Sequence, residues 1–123
     1  MKRSLHLLRN AQVWLLLSVY TWLGLSSHPP SVFDTSHDLS LHFIANLALF
    51  FSASLGWRHK PGHLLTWLFL FAFTLSVEIA QLLVPERYLD WRDVLANAGG
   101  LTTGMAAVLI LKRHGFFRGL NSG

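Results

Sequence analysis

The chain has 123 residues, of which 52% are hydrophobic and 13% are charged, and its mean hydropathy is +0.41. Soluble domains are about a quarter charged, so the composition excludes an ordinary soluble domain and indicates one integral membrane domain over residues 1–123. The net charge is +4, but the sequence shows no nucleic-acid-binding pattern beside it. The chain has no cysteine, which excludes a disulfide framework and thiol chemistry.

Four apolar blocks predict an all-α, four-helix transmembrane bundle with helices at about residues 8–26, 40–57, 64–84 and 94–111. A spanning helix needs roughly 17–25 mostly apolar residues. The third block meets this length outright, the second and fourth lie near its lower limit, and the first is short unless Leu7, Leu8 and Ser26 join it. The first block also fits a cleaved signal peptide, but because its loss would leave three helices we favour an uncleaved first span.

The basic residues predict the orientation of this bundle. Eight of the ten Lys and Arg residues precede the first block, lie between the second and third, or follow the fourth. Short loops rich in Lys and Arg stay in the cytoplasm, so we predict that both termini are cytoplasmic. All six acidic residues then belong to the outer half.

Polar side chains recur in pairs where the second, third and fourth helices reach the outer side. The paired residues are three or four apart and therefore share a helix face, and the turn before the fourth helix adds two more charged residues. We expect one polar cluster formed by Asp38, His42, Glu78, Gln81, Arg87, Asp90, Asp93 and Asn97.

Glu78 is the deepest acid of this cluster, seven residues before Pro85 and so about 10 Å along the helix from that break. An ionised carboxylate facing lipid there would cost a few kcal/mol or more. We therefore expect Glu78 to face the bundle interior, with Arg87 or His42 as its counter-charge. Asp38 and Asp93 could equally be helix N-caps, and Gln81 and Asn97 are better explained as interhelical hydrogen-bonding residues.

Motifs for specific chemistry are missing from the sequence. There is no paired-histidine zinc motif, nucleophile elbow or P-loop, so we predict neither a metal nor a cofactor. His42 and Glu78 are candidates for acid–base catalysis, although their spacing identifies no substrate. Gly100 and Gly104 have a spacing that favours close helix packing, either within the chain or in a homo-oligomer.

The polar positions resemble the signature of the VanZ-like family of small bacterial membrane proteins. The matching segments are Asp38-x-x-x-His42-Phe43, Glu78-x-x-Gln81, Pro85-x-Arg87 and Asp90-x-x-Asp93-x-x-x-Asn97-x-x-Gly100-x-x-x-Gly104. The resemblance covers about residues 38–104. The family commonly has Lys directly after the Asp, where this chain has Leu39, so one cation of the pattern is missing. The resemblance implies a multi-pass protein of the bacterial cytoplasmic membrane and an association with glycopeptide resistance, teicoplanin in particular, without implying an activity.

Our leading functional hypothesis is binding of a cell-envelope component, such as a lipid headgroup or lipid-linked precursor, by Arg87 and Arg92 beside the acidic residues. Two alternatives stay open at this point. One is an intramembrane enzyme acting on an envelope lipid or glycan carrier. The other is a purely structural or partner-binding subunit, with membrane lipids or a partner membrane protein as its partners, whose polar cluster only specifies the bundle.

Overall fold

The computed structural model describes residues 1–26, 38–57 and 62–121, and all regular secondary structure in this part of the chain is helical, as predicted. Four long helices follow one another: α1 (Lys2–Leu25), α2 (Asp38–Gly56), α3 (His63–Ala80) and α4 (Trp91–Arg113). A 3-10 turn (Gln81–Leu83) extends α3, and a short helix, α5 (Arg118–Asn121), follows α4. The buried core contains apolar side chains of all four long helices and Phe117.

The first helix begins six residues earlier than predicted and packs along α2. Its buried residues Val13 and Leu17 belong to the core. Two of its polar residues bond to α2: Arg9 Nε donates to the carbonyl oxygen of Leu55, and the Gln12 amide exchanges hydrogen bonds with Ser52. Arg9 and Gln12 therefore face a neighbouring helix.

In the described part of the chain, three helices are long and apolar enough to cross a membrane: Leu39–Gly56, His63–Leu83 and Trp91–Arg113. The predicted first span is not among them. The physical reason is its composition, since Arg9, Asn10 and Gln12 lower the hydropathy of the half of α1 that precedes its apolar stretch.

Helices α2 and α4 pack closely where two glycines of α4 face α2. A Cβ at Gly100 would overlap the carbonyl oxygen of Phe43 and lie 2.9 Å from Asn46 Cβ, and a Cβ at Gly104 would lie 3.0 Å from Leu47 O. The small-residue spacing therefore serves packing inside the chain. A second copy would have to use another face, because both glycines are buried against α2.

The connection from α3 to α4 differs from the prediction by a few residues. The α-helix ends at Ala80 rather than continuing to residue 84, and the 3-10 turn ends before Val84 and Pro85. Glu86 has a positive φ of 65°, which reverses the chain before α4 begins at Trp91. This turn brings Arg87 back toward the end of α1.

Candidate functional site

The predicted polar residues lie at the end of the bundle where α1 and α3 finish and α2 and α4 begin. Asn97 of α4 is 1% exposed and is the centre of the hydrogen-bond network there. Its Oδ1 accepts from Tyr20 Oη at 3.2 Å and from Asn46 Nδ2 at 2.7 Å, and its Nδ2 donates to Glu78 Oε1 at 3.2 Å. One amide thus joins all four long helices.

His42 lies between two carboxylates of different helices. Its Nδ1 is 3.3 Å from Glu78 Oε1 and 2.9 Å from Asn97 Oδ1, and its Nε2 is 3.7 Å from Asp93 Oδ2. The side chain of Glu78 is fully buried and that of Asp93 is 8% exposed. Of the two counter-charges that the sequence offered for Glu78, the structure therefore places His42 beside it.

Arg87 is directed toward α1. Its Nε and Nη2 donate to Ser26 O at 3.0 and 2.8 Å, and its Nη2 also donates to Leu23 O at 3.1 Å. These carbonyls are at the end of α1, where the last carbonyl groups of a helix have no partner within the helix. Gln81 acts in the same way, because its Nε2 donates to Gly24 O at 2.9 Å.

The N-cap of α4 is Asp90 rather than Asp93, which the sequence had offered as a cap. Asp90 is the N-cap, with its carboxylate accepting from Arg92 N at 2.9 Å. Asp93 lies one turn further on and is buried beside His42, so it is not the cap. Arg92 is exposed on the surface next to the Trp91 ring. Helix α2 begins at Asp38, but the side chain of Asp38 lies outside the described residues.

Two residues of the network, Tyr20 and Asn46, were not predicted. Asn46 lies one helical turn after His42 and also donates to His42 O at 2.8 Å, so the shared face of the two residues was a signal in the sequence. Tyr20 comes from α1, on which the sequence shows no polar pair. Its position follows from the packing of α1 against α2 and α3, where its ring lies 6.2 Å from that of Phe73.

A cavity of about 280 Å³ opens beside this network. It lies between α1, α2 and α3, and its polar lining is formed by Tyr20, His42, Glu78, Gln81 and Arg87. The rest of the lining is apolar or glycine and includes Ile44, which is 61% exposed. The cavity therefore combines ionisable groups with an apolar wall that reaches the surface of the bundle.

The cluster also has the composition of a metal site, although the sequence predicted none. His42, Glu78 and Asp93 each offer one ligand atom, and these atoms all lie within 4.8 Å of one another. The three residues come from three helices, which is why no sequence motif marked them. Imidazole and carboxylate are both common ligands of divalent cations.

Comparison with known proteins gives one match. No curated protein and no solved structure matches the chain. The family model described as VanZ/LLP1 matches residues 4–112, a range that contains all four long helices almost completely and every residue of the polar cluster. This membrane protein therefore belongs to the VanZ/LLP1 family.

Proposed function

We propose that the cavity binds the phosphate-bearing headgroup of a cell-envelope lipid or lipid-linked precursor. The observation that carries this proposal is the position of Arg87, whose guanidinium lines the cavity. Backbone carbonyls hold it in place, and it pairs with no carboxylate in the described part of the chain. An arginine fixed by neutral groups keeps its positive charge for an anion, and phosphate is a preferred partner of the guanidinium group.

The apolar lining supports a lipid rather than a soluble anion as the ligand. Leu23, Leu41 and Ile44 border the cavity, and exposed apolar side chains on a membrane helix face lipid tails. A lipid could place its phosphate next to Arg87 and its first chain segments against these residues. Burial of the chain would contribute about 0.8 kcal/mol per methylene group.

The orientation of the protein in the membrane is part of the same proposal. The basic residues favour a multi-pass protein of the bacterial cytoplasmic membrane with both termini inside, which would put the cavity on the outer side. Envelope precursors exposed on that side would then have access to it. Such binding would give the protein a role in teicoplanin susceptibility. Deleting the gene and measuring growth inhibition by teicoplanin tests this role.

Native mass spectrometry of the detergent-purified protein tests headgroup binding. Phosphatidylglycerol is the probe, and diacylglycerol with the same chains but no phosphate is the comparison. We expect the wild type to retain the phospholipid and Arg87→Ala to lose it. Because Arg87 also fixes the end of α1, Arg87→Lys is included, and it should keep part of the binding through its charge.

A cavity-filling variant makes the test independent of Arg87. Ala45 lines the cavity on α2, so Ala45→Leu should displace the lipid, whereas Ala72→Leu at an exposed position of α3 should leave binding unchanged. Equal phospholipid retention by wild type, Arg87→Ala and Ala45→Leu would overturn the proposal.

An intramembrane enzyme is the second candidate, because His42 and Glu78 line the cavity and lie 3.3 Å apart. This arrangement would allow one residue to accept a proton and the other to donate one to a bound envelope lipid or glycan carrier. In that case Glu78→Gln would retain the lipid and stop its conversion. Unchanged conversion in Glu78→Gln would exclude this role.

A further inference from the structure

The cluster of His42, Glu78 and Asp93 brings two carboxylates and one imidazole together at one end of the bundle. Glu78 is 0% exposed and Asp93 is 6% exposed, and the helices that carry them, α3 and α4, are both long and apolar enough to cross a membrane. Ionised carboxylates in such a position need a cation or a proton. His42 contacts both of them, and one imidazole carries at most one positive charge.

The two arginines described at this end of the bundle contact other groups. Arg87 directs its Nε and Nη2 toward Leu23 O and Ser26 O, which belong to α1 and lie away from α4. Arg92 is exposed beside Trp91. A divalent cation would neutralise both carboxylates at once, with a neutral imidazole as a third ligand.

We propose that His42, Glu78 and Asp93 bind a divalent transition-metal cation. One imidazole nitrogen and two carboxylate oxygens form a ligand set suited to Zn²⁺ or Mn²⁺. The 3.7 Å between His42 Nε2 and Asp93 Oδ2 is the separation of two ligand atoms that bind one cation at about 2.1 Å with an angle of about 120°. Glu78 offers the third ligand atom, and all three lie within 4.8 Å of one another.

The surroundings of the cluster fit this role in two further ways. Ligating side chains are usually held by hydrogen bonds from outside the coordination sphere, and the Asn97 amide contacts both His42 Nδ1 and Glu78 Oε1. His42 and Glu78 also line the cavity, which leaves room for water or a ligand oxygen at an open coordination position. The site would thus be held by four helices and accessible from one side.

Metal binding is measured with the cation alone, so the result does not depend on headgroup binding. The protein is purified in detergent with a chelator, dialysed, and titrated with ZnCl2 or MnCl2 in a calorimeter, with bound metal counted by mass spectrometry. We expect about one Zn²⁺ or Mn²⁺ per wild-type chain. Affinity should fall at least about tenfold in His42→Gln, Glu78→Gln and Asp93→Asn, because loss even of an outer-shell partner costs about 10- to 100-fold.

Matched controls exclude adventitious binding by the other histidines and acids. His114→Gln and Glu86→Gln change exposed residues of the same types and should bind the metal like the wild type. Asp93→Asn is the decisive variant if Glu78→Gln does not elute as a monodisperse protein, because Asp93 lies at the edge of the network. The metal site would be overturned if the wild type bound no cation, or if Asp93→Asn bound the cation with wild-type affinity. Neither result would bear on headgroup binding, which is tested by Arg87→Ala and Ala45→Leu.

Discussion

The two sides of the polar cluster are built in different ways. On the α2–α4 side, a Cβ at Gly100 would overlap the Phe43 carbonyl oxygen and one at Gly104 would lie only 3.0 Å from Leu47 O, and Asn46 and Asn97 join their amides in a buried hydrogen bond of 2.7 Å. On the side facing α1 and α3, the helices leave a cavity that is lined by Glu78, Gln81 and Arg87. His42 belongs to both sides, since it contacts Asn97 and also lines the cavity.

This difference separates stability from binding within one cluster. Polar groups on the closed side have protein partners and no room for a ligand, so changes there should act on folding. Polar groups on the open side border free space, so changes there should act on ligands at a smaller cost in stability. The following substitutions test this division in order of decreasing effect on the free energy of unfolding.

The largest effect is expected for Gly100→Ala, because the new Cβ would meet the Phe43 carbonyl oxygen and Asn46 Cβ. Backbone atoms cannot move away easily, and overpacking typically costs about 1–3 kcal/mol, occasionally more. Gly99→Ala is the matched control on the same helix, since its Cβ would be 3.4 Å from the Phe43 ring, an ordinary contact. Thermal unfolding in detergent should show a strong loss of stability for Gly100→Ala and no loss of stability for Gly99→Ala. Equal behaviour of the two variants would contradict the close α2–α4 approach.

A smaller but clear loss is expected for Asn97→Leu. The substitution keeps the volume similar and removes the hydrogen-bond partner of Tyr20, Asn46 and Glu78. Interhelical hydrogen bonds in membranes contribute about 0.6–2 kcal/mol each, so we expect a total loss of about 2 kcal/mol.

Thr74→Val is the control for this substitution. Thr74 is equally buried, but its hydroxyl bonds only to Phe71 O of its own helix, so the loss should stay below about 1 kcal/mol. Both variants are measured by unfolding in mixed detergent micelles. Equal losses of unfolding free energy in Asn97→Leu and Thr74→Val would show that the hydrogen bonds of Asn97 do not stabilise the fold.

The fold was predictable to a large extent because the apolar blocks are long and the breaks between them are marked. Pro85 and the charged turn after it indicated the end of α3, and the small residues Gly100 and Gly104 indicated close packing. The start of α1 was placed six residues late, because Leu5, Leu7 and Leu8 are interleaved with basic and polar residues. The residues before the predicted start of α1 are helical although their hydropathy is low, because their helix propensity is sufficient for a helix to form.

The sequence predicted most residues of the polar cluster, but it did not predict which of them contact each other. Helical spacing showed that His42, Glu78, Asp93 and Asn97 share one end of the bundle. It did not show which cation pairs with Glu78, because that choice depends on the rotation of each helix about its axis. The same limit explains why Tyr20 was missed and why Arg87, which lies at the end of α1, was one of two candidate partners of Glu78.

The smallest effect is expected for Gln81→Leu on the open side. Gln81 makes one interhelical hydrogen bond, to Gly24 O, and it lines the cavity, where water can take over as the partner of that carbonyl. The loss should therefore stay near the lower end of about 0.6–2 kcal/mol. Gln12→Leu is the matched substitution at the other end of the bundle, where the amide both donates to Ser52 O and accepts from Ser52 Oγ. Thermal unfolding in detergent should show a larger loss for Gln12→Leu, because two bonds to α2 disappear. A larger loss for Gln81→Leu would mean that the cavity side is held as firmly as the closed side, and the division between stability and binding would then fail.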